Sequence, residues 1–216
     1  MSWVAPSLAK NNLIDRRVKR GIDVCLAASF LLIGLPFIIL IAVMVKFDSS
    51  GPALYRQQRV GLGGRLFELI KFRTMYSGAE DDLEAFLMRN PKRRFRWEAY
   101  QKFWNDPRLT RSGKWLRRFS LDELPQLWNV LRGEMSLVGP RPILPSQRAM
   151  YGSKISYYRQ VQPGMTGLWQ VSGRNLTSFS ERVDLDVGYM QNWSLREDIR
   201  ILFQTISVVL SGAGAF

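Results

Sequence analysis

The sequence predicts a mostly helical protein with a few short strands, in which an apolar membrane helix precedes one compact domain. Three observations carry this reading. The run IDVCLAASFLLIGLPFIILIAVMVKF, residues 22–47, holds no charge besides Asp23 and Lys46, and about 20 apolar residues suffice to cross a hydrocarbon core. Four Ser-x-x-Glu steps follow, Ser77/Glu80, Ser120/Glu123, Ser178/Glu181 and Ser194/Glu197, each a capping-box signature for the start of a helix. Extended patterns are short by comparison, at 54–60, 65–72, 135–138 and 168–171. The chain therefore divides into a basic arm at 1–21, frayed over its first dozen residues, a membrane helix at 22–46 and a domain at 47–216.

Within the apolar run, Gly34 and Pro36 stand at the midpoint. Proline removes a backbone donor and clashes with the carbonyl four residues back, so it breaks or bends the helix at Pro36. Arg16, Arg17, Lys19 and Arg20 precede the run, while Lys46, Arg56 and Arg59 follow it. Positive flanks mark the inner side of a membrane. Two such flanks fit a helix that enters and returns on one face, and a kinked span fits the residues equally. The run is too long for a signal-peptide core, and no small-x-small cleavage site follows it.

Asp48-Ser49-Ser50-Gly51-Pro52 is a turn cluster that separates the membrane segment from the domain. The stretches 54–60 and 65–72, joined by Gly61-Leu62-Gly63-Gly64, read as a hairpin. The same glycines could cradle a phosphate, but no Walker or dinucleotide pattern is complete around them. Helical segments are expected at 93–104 and 146–160 and after each capping box. In the first of these, Phe95, Trp97, Tyr100, Phe103 and Trp104 interleave with Lys92, Arg93, Arg94, Arg96 and Lys102. Such a mixture can stack nucleic-acid bases or lie at a lipid interface, and proximity to a membrane segment favours the interface.

Charge narrows the chemistry. There are 31 basic and 18 acidic residues, a net +13, with no histidine and one cysteine. Histidine-based nucleophile pairs, zinc sites and general bases are excluded, so proton or phosphoryl work falls to carboxylates, Lys or Arg. Cys25 allows no internal disulfide, and its apolar setting reads as a buried, inert thiol. Residues 54–118 carry 16 basic against 7 acidic side chains. That excess wants an anionic partner: nucleic acid, an acidic lipid surface or a phosphorylated small molecule.

The sharpest signal is SLDELPQLWNVLRGEMSLVGPRP, residues 120–142. Pro125 is tolerated only in the first turn of a helix, which predicts an N-cap near Asp122 and places both Asp122 and Glu123 at the helix start. Free amides and the dipole there would keep Asp122 ionised and draw a phosphate. An ionised aspartate is a competent phosphoryl acceptor, although plain capping would account for the same pair. Arg117 and Arg118 lie upstream. Downstream stand Gly139-Pro140-Arg141-Pro142 and Gly167-Leu168-Trp169-Gln170-Val171-Ser172-Gly173-Arg174, which set arginines on stiff loops suited to bidentate phosphate recognition.

Lys19-Arg20-Gly21-Ile22-Asp23, the Pro36 kink, Asp48-Ser49-Ser50-Gly51-Pro52, Lys71-Phe72-Arg73-Thr74-Met75, Ser120-Leu121-Asp122-Glu123-Leu124-Pro125-Gln126, Gly139-Pro140-Arg141-Pro142 and Pro163-Gly164-Met165-Thr166-Gly167 occur in this order. In that combination the chain resembles the monotopic phosphoglycosyl transferases of the bacterial sugar transferase family, which initiate exopolysaccharide and glycan assembly. The resemblance implies transfer of a hexose-1-phosphate from a UDP-sugar to polyprenyl (undecaprenyl) phosphate with release of UMP, through a covalent aspartyl sugar-phosphate. It implies Asp122 as nucleophile and metal ligand or neighbour, Glu123 as its assistant, and Mg2+ as the cofactor. Lys71, Arg73, Arg117, Arg141 and Arg174 become phosphate contacts. It also implies a re-entrant helix, interfacial amphipathic helices, and a catalytic domain on the cytoplasmic face of the inner membrane. Membrane lipid is a partner, nucleic acid is not, and a homodimer is admitted. The C-terminal blocks resemble members that use UDP-galactose or UDP-glucose, with an N-acetylated amino-sugar donor as the alternative.

The family often has serine where Leu35 precedes the kink proline, and long members carry an extra helical bundle for which 216 residues leave no room. A non-catalytic, membrane-tethered module binding lipid or nucleic acid would explain the basic excess. It would not need an Asp-Glu pair beside proline-fixed arginines.

Overall fold

The first element of the computed structural model, which describes residues 12–79, 82–100, 106–173 and 177–211, is a 37-residue helix, α1 (Asn12–Asp48), with Pro36 inside it. It starts ten residues before the expected 22, because Asn12 to Gly21 can continue the helix without a breaker, and at 1.5 Å per residue a straight helix of this length would measure about 55 Å. It is long and apolar enough to cross a membrane. Both ends of α1 are fixed to the rest of the protein. Near its start, Arg20 donates to the Val130 and Leu131 carbonyls at 2.7 and 3.0 Å, satisfying the C-terminal end of helix α5 (Gln126–Leu131). Lys19 reaches the Val138 carbonyl at 3.0 Å and Asp198 at 2.6 Å. Asp23, the one acid in the apolar run, accepts from Ser136 Oγ and the Leu137 N–H at 2.8 and 3.1 Å. At the far end Asp48 accepts from the Ser112 N–H and Oγ at 2.9 and 2.7 Å. These bonds fix the first turn of α4 (Arg111–Arg118).

Between the two attachments Phe30, Leu32, Ile33, Leu35, Phe37, Ile39 and Leu40 are exposed. Cys25 is exposed as well, which corrects the expectation of a buried thiol: it lies on a face of α1 left uncovered among the described residues. The first limb contributes Leu26, Ala27 and Leu31 to the main hydrophobic cluster. The second contributes Ile38, Ile41 and Val45 to a smaller one with Phe72 and Leu116. Leu124 packs against both clusters, so the turn that carries Asp122 sits where the two limbs meet the domain.

The predicted hairpin forms. Strand β1 (Leu54–Val60) pairs antiparallel with β2 (Leu66–Phe72), Val60 opposite Leu66. The connection is a 3-10 turn in which Gly63 and Gly64 have φ of +68° and +79°, a region that glycine enters without steric cost. The outer ladder of β2 is taken by a side chain: Asn129 of α5 accepts from the Ile70 N–H at 3.1 Å and donates to the Glu68 carbonyl at 2.7 Å. Asn129 is fully buried, and one amide thus replaces a missing third strand.

The reading at 135–138 is close to strand β3 (Ser136–Val138), but 168–171 is the one-turn helix α7 (Leu168–Val171), a correction. The parallel partner of β3 lies earlier, at β4 (Gly164–Thr166). Gly139 and Gly164 allow the approach, since a Cβ on Gly164 would come within 2.1 Å of the Gly139 nitrogen. Residues 146–160 are split between a 3-10 segment, Pro145–Lys154, and the short α6 (Ile155–Tyr158). Of the four capping boxes, Ser178 caps α8 (Phe179–Gln191) reciprocally with Glu181, and Ser194 accepts from the Glu197 N–H at the start of α9 (Leu195–Ser211). Ser77 instead donates to the Ser50 carbonyl, with Glu80 outside the described residues. After α2 (Asp82–Arg89), the aromatic stretch expected at 93–104 forms α3 (Pro91–Tyr100), with Phe103 and Trp104 also outside the described residues.

Candidate active site

Ser120, predicted as a cap, has φ +55° and ψ 22° and makes no capping bond. It opens a single 3-10 turn, Leu121–Glu123, while α5 begins only at Gln126 with Pro125 as its N-cap. The expected N-cap near Asp122 is therefore corrected. Pro125, with no N–H to give, marks the helix boundary itself, so Asp122 precedes α5 instead of capping it.

Asp122 is 8 % exposed. Burial raises its pKa and Glu123 raises it further, while Arg117, Lys71 and Arg141 pull it down. The net direction is upward: burial outweighs the cations, whose attraction offsets only part of the cost of charging the carboxylate. Each cation is fixed from a different element. Lys71 stands at the end of β2 with its ammonium 4.9 Å from the Tyr55 ring centroid. Its pKa is pushed down to about 8, first by burial and then by Arg117. Arg117, on the inner face of α4, donates from Nε to Thr74 Oγ1 at 3.0 Å. Arg141, between its two prolines, donates to Glu123 at 3.1 Å. The Arg141 and Glu123 side chains remain 38 % and 21 % exposed, so the pair lies at the open side of the cluster.

Of the other two predicted phosphate contacts, only Arg73 is among the described residues. Arg73 turns to the end of α1, where Nη2 donates to the Ser49 carbonyl at 2.6 Å. A Cβ on Gly51 would lie 2.3 Å from Arg73 Nη1, which accounts for the glycine there. Arg174 lies outside the described residues.

Arg59 belongs to the site although sequence reasoning did not select it. It donates to the Pro142 carbonyl at 3.0 Å and to Gln57 at 2.5 Å. Burial, reinforced by Arg141, pushes its pKa down to about 10. The period-two alternation of β1 carries the signal, because it sets Tyr55, Gln57 and Arg59 on one face. Asp186 of α8 was also missed. It is fully buried beneath the same loop, accepts from Tyr151 Oη at 2.9 Å, and has its pKa raised by burial to about 7.

Among the described residues no group of three or more Asp, Glu or Cys side chains could hold a metal on its own. Magnesium commonly uses one or two carboxylates together with substrate phosphates. The adjacent Asp122 and Glu123, ringed by cations that a phosphate would balance, fit that donor set.

A family model described as bacterial sugar transferase matches residues 14–212. A UDP-galactose-lipid carrier transferase of Erwinia amylovora is 47% identical over 213 residues, covering 99% of this chain and 44% of that protein. The exopolysaccharide production protein ExoY of Rhizobium meliloti is 46% identical over 203 residues, 94% of this chain and 90% of its own length. An undecaprenyl-phosphate galactose phosphotransferase of Salmonella typhimurium is 46% identical over 210 residues, 96% of this chain and 44% of that protein. The chain thus spans less than half of two of these relatives and nine tenths of the third.

Proposed function

Because the chain belongs to the bacterial sugar transferase family, we propose that it transfers a hexose-1-phosphate from a UDP-sugar to undecaprenyl phosphate and releases UMP. The observation that carries this is a buried carboxylate, Asp122, set among Lys71, Arg117 and Arg141. Such a site can hold a diphosphate beside a carboxylate whose charge the cations favour against burial. An Asp122 oxygen attacks the phosphorus bonded to the sugar. The bond to the bridging oxygen breaks and UMP leaves with its electron pair, which gives an aspartyl sugar-phosphate. An oxygen of undecaprenyl phosphate then attacks the same phosphorus, and Asp122 is regenerated.

Arg141 and Glu123 act as a pair. The guanidinium meets the phosphoryl oxygens at the exposed side, and Glu123 orients that guanidinium and the incoming group. Lys71 and Arg117 neutralise charge on the inner side, the main task of a protein in phosphoryl transfer. Magnesium, held by Asp122 and Glu123 with the diphosphate, would add charge neutralisation between the phosphates.

UDP-galactose or UDP-glucose is the donor, in keeping with the galactose in the names of two relatives. The acceptor is a membrane lipid, and α1 with both ends bound to one domain supports a re-entrant helix and a site at the cytoplasmic face of the inner membrane. A panel of nucleotide sugars, assayed for nucleoside monophosphate release and lipid-linked product, tests the proposal. Turnover with a UDP-hexose is expected. Strict preference for an N-acetylated donor would overturn the donor assignment, and inactivity with every donor would overturn the reaction.

A further inference from the structure

Arg141 is the most exposed of the three cations that surround Asp122 and Glu123, and a free arginine side chain samples many rotamers. Binding a phosphate bidentately is most favourable when the fork is already fixed. The structure fixes it at two points. The Arg141 guanidinium lies 5.8 Å from the ring centroid of Trp169, and a second guanidinium, that of Arg182, lies 4.7 Å from the same ring. Trp169 and Arg182 are 2 % and 8 % exposed. Arg182 is itself clamped, since Nε and Nη2 both donate to the Thr177 carbonyl at 3.1 and 2.9 Å. Asp186 lies beneath the same loop: its carboxylate accepts from Tyr151 Oη, and the neighbouring Arg141 pulls its pKa down against burial. Gly167, immediately before α7, closes the arrangement: a Cβ there would lie 2.2 Å from the Gly139 carbonyl oxygen, so the helix bearing Trp169 is pressed onto the Gly139-Pro140-Arg141 loop.

We infer that Trp169, with Arg182 and Asp186, is a positioning assembly that holds Arg141 against Glu123 for the transfer reaction proposed above, and the inference rests on that reading of the site. The ring offers its negative face to Arg141. Arg182, clamped on the Thr177 carbonyl, keeps the ring in place. Two guanidiniums near one ring repel, which together with burial pushes the pKa of Arg182 down to about 10. The Asp186 carboxylate between α8 and the loop offsets that repulsion. All three residues act through Arg141, so their contribution must vanish when its side chain is removed.

The test uses the full chain in detergent micelles with the UDP-hexose that the wild type turns over best. Trp169→Leu and Arg182→Gln are each expected to lower kcat about tenfold with the donor KM changed less than threefold, the loss of roughly one cation–π contact in the transition state. Trp169→Phe, which keeps a ring, should recover activity to within about threefold of the wild type. In an Arg141→Ala background, neither Trp169→Leu nor Arg182→Gln should cost more than about another twofold. Losses that multiply with that of Arg141→Ala, or a Phe variant as poor as the Leu variant, would overturn the inference. If Trp169→Leu does not fold, Arg182→Gln carries the same cycle. Inactivity of the wild type with every donor would sink the reaction instead. In that case the cycle is run on urea midpoints, where Arg141→Ala and Arg182→Gln are expected to be non-additive, and strict additivity would refute the assembly.

Discussion

Lys71 is a charged group kept at a site that disfavours its charge, and replacing it with Met should make the protein more stable while removing its activity. Burial and the neighbouring Arg117 push the ammonium from the ordinary 10.5 to about 8. At 1.36 kcal/mol per unit, that corresponds to about 3 kcal/mol of destabilisation carried by the folded state wherever the lysine is protonated in both states. The sign follows from proton counting. The unfolded chain holds the proton more tightly, so stability is lowest below pH 8 and recovers as pH rises from about 8 towards 10.5. Methionine has similar length and no charge, and it removes this cost. Part of the gain is returned because Asp122 loses one of the cations that favour its charge, leaving a net stabilisation on the order of 1–2 kcal/mol at pH 7. Urea unfolding in micelles at pH 7 and pH 10 measures it. The variant should be more stable than the wild type at pH 7, with the gap narrowing at pH 10. A variant less stable at pH 7, or a gap independent of pH, would show that Lys71 is stabilised by its partners and not opposed by burial. Wild-type activity should fall as pH rises through about 8, because neutral Lys71 no longer holds phosphate.

Asp122→Asn is expected to abolish turnover together with the protein-bound sugar-phosphate that rapid quenching of wild type with labelled donor, in the absence of lipid, should trap. Glu123→Gln should lower kcat by about a hundredfold or more with the fold intact, read from turnover and an unchanged unfolding midpoint. In a Cys25→Ser background, cysteines placed singly at Asn12 and Ser50 should label equally with an impermeant thiol reagent from one side of a vesicle, whereas labelling from opposite sides would mean a spanning helix. Asn129→Leu strands the Ile70 N–H and the Glu68 carbonyl in the core, and a loss of about 2–4 kcal/mol is expected on denaturation.

What could be read from sequence was what depends on neighbours along the chain. The apolar run, the Gly63-Gly64 turn and the Ser178/Glu181 cap each involve a few consecutive residues, and each is in the structure. The Asp-Glu pair was legible for the same reason, and so were Arg117 and Arg141 beside it, whereas Lys71 came only with the family resemblance. The bond of Arg73 to the Ser49 carbonyl, a backbone group 24 positions away, is one that no motif announces. Asp23 stood out only as an unexplained charge, since the Leu137 N–H that it accepts from is 114 positions distant. Asn129 standing in for a strand, and Asp186 beneath the Arg141 loop, likewise depend on tertiary pairing of elements too short to carry a period of their own. The segment 168–171 shows the same limit, because four residues, Leu-Trp-Gln-Val, are too few to show a period and fit a strand and a single helical turn alike.

The two-ended attachment of α1 has a mechanical consequence. A globule hung from a membrane by one stalk can swivel, and its reactive face then meets the lipid surface only part of the time. Held near Lys19 by Asp198 and again at Asp48 by Ser112, the domain has a fixed tilt about the axis joining those points. With α1 re-entrant as proposed, the altitude of Asp122 above the headgroups would be set by the length of the apolar helix between the pins, and a lipid acceptor would have only to diffuse in two dimensions to arrive in register. Lengthening or shortening α1 by one residue would rotate one pin by about 100° against the other, so the segment behaves as a gauge whose length is not free to drift.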